Sequence, residues 1–106
     1  MVKVVLEHRT KSRENTKKLV KLIKEVRDVA RKQPGFVTGE TFVDAADPCH
    51  VIVISTWKKQ EDWKAWDESA DRAVTRPKIE ELLVVPFNAM ILSLPVVWRE
   101  DQTNVF

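Results

Sequence analysis

Val51-Ile52-Val53-Ile54-Ser55-Thr56-Trp57-Lys58-Lys59-Gln60-Glu61-Asp62-Trp63-Lys64-Ala65-Trp66 carries an apolar strand directly into a short helix, and it holds three of the four tryptophans of the chain. The run Val51 to Ile54 is apolar at consecutive positions, so both faces of that strand must be covered, and it belongs in the middle of a sheet. Trp63 and Trp66 lie three apart and share one helix face, while Trp57 marks the end of the strand. That aromatic face is either a core anchor or the wall of a binding site.

Outward from this stretch the chain alternates clearly. Toward the N-terminus, Val2, Val4, Leu6 and His8 alternate with Lys3, Val5, Glu7 and Arg9, the period of a strand with one strongly apolar face. Leu19, Leu22, Ile23, Val26, Val29 and Ala30 then recur at the spacing of an amphipathic helix, with Ser12 or Asn15 as its cap and Pro34-Gly35 as its stop. Phe36 to Asp44 and His50 to Trp57 read as two strands joined by the turn-forming Ala45-Ala46-Asp47-Pro48, an antiparallel hairpin. After the tryptophan helix, Pro77 to Leu83 reads as a second short helix with proline in its first turn, and Val84 to Leu94 as a last apolar strand.

Strand, helix, strand, strand, helix, strand is the βαββαβ order of a ferredoxin-like α+β subunit with an antiparallel sheet. Helices cover one face of such a sheet. The other face is also apolar here, so a homodimer packed sheet to sheet is expected. Residues 1–95 form the predicted domain, and residues 96–106 are a tail whose Trp98 and Phe106 either clasp the partner or hang loose.

With 106 residues the chain supports one domain and one modest core. Hydrophobic residues make up 43% and charged residues 32%, and no apolar run approaches the roughly 18 residues of a membrane span. The expected setting is the cytosol, because the first residues form a strand rather than an export signal. A net charge of +2 argues against a nucleic-acid partner. The charge is nonetheless uneven: Arg9 to Lys32 carries ten basic residues against Glu14, Glu25 and Asp28. Such a helix is either a solvated face or a surface that meets anions. Cys49 is the only cysteine and there are two histidines, so neither a disulfide nor a metal cluster is expected. Gly35 and Gly39 are the only glycines, which excludes the dinucleotide fingerprint and the phosphate loop; no G-x-S-x-G elbow occurs either.

What remains is an apolar space between sheet and helices into which His8, Thr56, Ser69 and Arg76 could point. Val4-Val5-Leu6-Glu7-His8-Arg9, Gln33-Pro34-Gly35-Phe36, Asp47-Pro48, Thr56-Trp57-Lys58-Lys59-Gln60-Glu61 and Trp66 together resemble the antibiotic biosynthesis monooxygenase (ABM) family, a group of dimeric α+β barrels. The resemblance implies two ferredoxin-like subunits joined through their sheets, each with a pocket between sheet and helices. It implies one of three activities: oxygenation of an aromatic or quinol-like compound without metal or flavin, haem degradation, or ligand binding without catalysis.

Carried over by position, the haem-degrading members place an asparagine at His8, a tryptophan at Trp66 and their iron-ligating histidine near Arg76. Arginine has no lone pair for iron, which weakens that reading. Under the cofactor-free reading no cofactor is expected. His8 takes a proton from the substrate and Arg76 stabilises the oxyanion. Leu22, Val26, Ile54 and Trp63 are the expected walls of the pocket, and Trp66 is grouped with His8 and Arg76 at its chemical end. The plainer alternatives are a backbone-bonded His8 and an Arg76 paired with Asp71 or Glu80.

Overall fold

In the computed structural model, which describes residues 1–93, the sequence periods become three helices and four strands. Strand β1 (Val2–Arg9) buries Val2, Val4, Leu6 and His8, the face its alternation predicts. Helix α1 (Arg13–Ala30) starts at Ser12, whose hydroxyl accepts the Asn15 N–H at 3.1 Å; it turns Leu19, Ile23, Val26 and Ala30 inward. The chain then reverses at Gly35, with φ of +83°, a conformation that a Cβ would strain. A Cβ here would also stand 2.1 Å from Oδ2 of Asp62, and the Gly35 carbonyl accepts the Lys58 N–H at 2.8 Å.

Strands β2 (Phe36–Asp44) and β3 (Asp47–Trp57) form the expected hairpin. Asp44 pairs with Asp47, leaving Ala45 and Ala46 as the turn. Asp44 Oδ1 accepts the Ala46 N–H at 2.8 Å and closes it. Helix α2 (Gln60–Asp67) follows at once, and α3 (Ala70–Glu80) after it.

This last helix corrects the sequence reading. It begins at Ala70 and not at Pro77, because the Ser69 hydroxyl accepts the Arg72 N–H at 3.2 Å and starts a helix before the proline is reached. Pro77 then falls near the C-terminal end, where its missing N–H disturbs little more than one turn. The final strand is also shorter than the apolar run that announced it: β4 is Asn88–Ser93, and Leu83 makes only an isolated bridge to Thr10. The proposed tail, residues 96–106, lies outside the described residues.

The sheet order is β2-β3-β1-β4, every neighbouring pair antiparallel. The two-faced apolar strand is therefore central, as its composition requires. On one face Val4, Leu6, Val51 and Trp57 pack with Leu19, Ile23 and Val26 of α1, with Trp63 and Trp66 of α2 and with Ile79 of α3. On the other face no helix lies among the described residues. There Val5 stands opposite both Ile54 and Met90, Ile52 opposite Phe42, and Leu92 opposite Lys3. These side chains form an apolar band across all four strands, with Phe42 and Met90 about half exposed.

Candidate functional site

The inner sheet face and the three helices enclose a cavity of about 50 Å³. Each element contributes by its own period: β1 gives Leu6 and His8, β3 gives Val53, Ser55 and Trp57, and β2 gives Phe36 and Gly39. Helix α1 adds Ile23, Val26, Arg27 and Ala30; α2 adds Trp63 and Trp66; α3 adds Arg72 and Ile79. The tryptophans interlock edge to face, with Trp57 and Trp63 centroids 6.1 Å apart and Phe36 standing at 88° to Trp57. They are core anchors and cavity walls at once.

His8 is 1% exposed, and its Nδ1 lies 3.3 Å from the Val51 carbonyl oxygen. A carbonyl can only accept, so the neutral ring carries its hydrogen on Nδ1 and leaves the Nε2 lone pair free. Burial pushes its pKa down from 6.5 to about 4; the bond to Val51 opposes the shift and the charge of Arg72 adds to it. At neutral pH His8 is an uncharged acceptor.

Arg72 is the residue that sequence reasoning missed. It is 3% exposed, its Nε has no hydrogen-bond partner, and it makes no ion pair among the described residues. Burial, with the neighbouring Arg76 adding, lowers its pKa to about 10, against the pull of Asp67 and Glu80, so it stays charged at neutral pH. Its guanidinium carbon lies 5.2 Å from the Phe87 ring centroid, and His8 meets the same ring at 5.3 Å. The signal was available: Arg72 and Ile79 are two helical turns apart and share a face once α3 is capped by Ser69 and begins at Ala70.

Of the expected site residues, His8, Trp66, Trp63 and Val26 meet in the cavity. Arg76 does not line it: Nη2 holds Oδ1 of Asp67 at 2.5 Å, and the pairing is with neither Asp71 nor Glu80. Ile54 is turned to the uncovered sheet face, because its partner is Val5, whereas Val53 pairs with the inward Leu6. Leu22 packs partly buried against the core beside Ile23 and lies outside the cavity wall. His50 lies off the cavity too, its Nε2 2.8 Å from Glu7 and its Nδ1 3.0 Å from Asp44. These carboxylates, Asp44 first, hold its pKa above the ordinary value. Among the described residues no group of three or more His, Cys, Asp or Glu side chains is placed to hold a metal ion, and no helix is long and apolar enough to cross a membrane.

A ferredoxin-like α+β subunit with an aromatic cavity between sheet and helices is the class that this geometry defines. The chain belongs to the antibiotic biosynthesis monooxygenase family, whose model matches residues 1–77. Its fold is that of a solved antibiotic biosynthesis monooxygenase at 20% identity, with a TM-score of 0.78, covering 89% of this chain and 98% of that one. SnoaB, a cofactor-independent oxygenase from Streptomyces nogalater, superposes with a TM-score of 0.79 at 11% identity, over 88% of this chain and 91% of SnoaB. A conserved protein from Methanosarcina mazei Go1 gives 0.78 at 17% identity, over 85% and 88%. No curated protein matches the chain.

Proposed function

We propose that this chain is an ABM-type monooxygenase that oxidises a small aromatic or quinol-like compound in the cavity, with electrons drawn from the substrate itself and no bound metal or flavin. The observation that carries the reading is the meeting of a free histidine lone pair, a tryptophan wall and a buried arginine in one apolar space. Nε2 of His8 receives the proton of an enol or phenol, and Arg72, in the place first given to Arg76, holds the oxyanion. The electron-rich anion then reacts with dioxygen. One oxygen atom replaces the two hydrogens of a ring methylene as a carbonyl and the other leaves as water, a balance that needs no outside reductant.

At about 50 Å³ the cavity is smaller than the ~150 Å³ that accepts a benzene ring, so a substrate must part its walls. Arg27, partly exposed at the mouth, is held to Thr41 by a side-chain hydrogen bond. The haem-degrading reading gains no support: Arg76 is tied to Asp67, and both ring nitrogens of His50 face carboxylates. The uncovered apolar sheet face supports a homodimer as the working form.

Oxygen uptake with dihydroxynaphthalene or anthrone-like compounds, in metal-free buffer with and without flavin, tests the activity. His8→Ala is expected to slow turnover by about 10²–10⁴-fold with a smaller change in KM. Turnover of none of these compounds, or a His8→Ala enzyme equal to the wild type, would replace this reading with that of a ligand-binding protein.

A further inference from the structure

Among the described residues Arg72 has no carboxylate in ion-pair contact, and Asp67 and Glu80 act on it only from a distance. A guanidinium buried to this degree, with Nε unpartnered and no carboxylate in ion-pair contact among the described residues, is costly to the folded protein. Of the two carboxylates whose charge reaches it, Asp67 is already taken by Arg76 and Glu80 makes no ion pair with it. His8, the other polar ring in the cavity, is neutral and offers a lone pair rather than a charge. Apart from Arg27, the remaining wall is aromatic and aliphatic, with Ser55 bonded to Trp57 Nε1 at 3.0 Å.

A second observation concerns the rim. Arg27 lines the cavity, and it also ends a groove along α1 formed with Lys17, Lys21, Lys24 and Arg31 against one acidic side chain, Asp28. Gly39 makes this possible, since a Cβ there would stand 3.0 Å from Nε of Arg27. The basic side of α1 thus runs to the cavity mouth and raises the local concentration of anions at it.

We propose that the cavity is built to hold a small aromatic monoanion, a carboxylate or a phenol or enol ionised on arrival or by His8, whose charged oxygen sits on Arg72 while its ring lies among Trp57, Trp63 and Trp66. Arg72 is the buried cation of the cavity and the partly exposed Arg27 stands at its mouth, so the interior matches one negative charge. The inference rests on the cavity being the ligand site of the activity proposed above, and it adds the charge state of the ligand. A neutral ring of the same shape leaves the guanidinium unpaired, so the site discriminates against it.

Calorimetric titration of the full chain with 2-naphthoate and with neutral 2-naphthamide, at one pH and salt concentration, tests this. The carboxylate is expected to bind at least about tenfold more tightly than the amide, the difference expected of a charge-assisted hydrogen bond. Arg72→Met should abolish the preference, and Lys78→Met, which removes an exposed charge from the same helix, should keep it. 4-Nitrophenol, titrated above and below its own pKa, separates the two sources of charge: binding confined to the phenolate extends the site to ionised phenols, and binding of neither form restricts it to carboxylates. Equal affinity for naphthoate and naphthamide in the wild type, binding of neither at millimolar concentration, or a preference that survives Arg72→Met would overturn the proposal. The wild-type comparison alone is decisive should Arg72→Met fail to fold. Binding is read without turnover, so tight naphthoate binding in a protein that consumes no oxygen would remove the oxygenase reading and leave this one standing. Oxygen uptake with anthrone-like substrates by a protein that binds naphthoate and naphthamide equally would do the reverse.

Discussion

Arg76 grips Asp67 across the junction of α2 and α3, and by doing so it leaves Arg72, one turn earlier on the same helix, with a positive charge and no paired carboxylate among the described residues. The two arginines therefore have opposite relations to stability.

Arg76→Met removes a pair that is about one-third exposed on each side, and the expected loss is under about 1 kcal/mol. Arg72→Met removes an uncompensated buried charge and keeps most of the side-chain volume. It should stabilise the protein by about 1–3 kcal/mol and raise Tm by several degrees. Thermal unfolding followed by circular dichroism reads both. A lower Tm for Arg72→Met would mean that the charge is compensated in the folded state.

Acid should weaken the fold through His8. Its folded pKa of about 4 lies below the unfolded value of 6.5, so between these two pH values the unfolded chain binds more protons. Stability contributed by neutral His8 is complete above pH 6.5 and falls as pH drops toward 4, by about 3 kcal/mol in all. His50 acts in the other direction. Its folded pKa is raised by Asp44 and Glu7, so its contribution is complete below the unfolded value and lost as pH rises through the folded one. Urea titrations from pH 4 to pH 8 should show His8→Gln losing much of the acid slope and His50→Gln steepening it. An unchanged slope in His8→Gln would contradict the assignment.

The uncovered band of Val5, Ile52, Ile54, Phe42, Met90 and Leu92 should make the chain a dimer. Light scattering at micromolar concentration is expected to give twice the mass of one chain. Ile54→Lys, which places a charge at the centre of the band, should give the mass of one chain with the helical signal retained. Monomeric wild type with its tail intact would remove the dimer from the proposal.

The framework was legible because its signals are periodic. Alternation along Val2 to Arg9, the three-and-four spacing of Leu19 to Ala30 and the aromatic pair Trp63 and Trp66 each report a single buried face, and each is buried as read except that Val29 is exposed and Leu22 half-buried at the margin of the helix stripe. Where a segment is apolar on consecutive residues, the period says nothing about which residue faces inward. Ile54 was therefore taken for the cavity when Val53 occupies that wall. The arginines turned on a different ambiguity. Pro77 resembles a helix start, and a helix counted from it gives no inward place to Arg72; the Ser69 hydroxyl moves that start seven residues earlier and rotates Arg72 to the core side.

The closeness of Gly35 to Asp62 also determines where this chain can be lengthened. Gly35 is packed against α2 and its carbonyl holds Lys58, so residues spliced in at this reversal would push the end of α1 away from the tryptophan helix. The Ala45-Ala46 turn is exposed and bound only by its own Asp44, at the end of the hairpin. A peptide tag grafted there should be carried with little loss of fold, whereas the same graft at Gly35 should separate the two walls of the cavity.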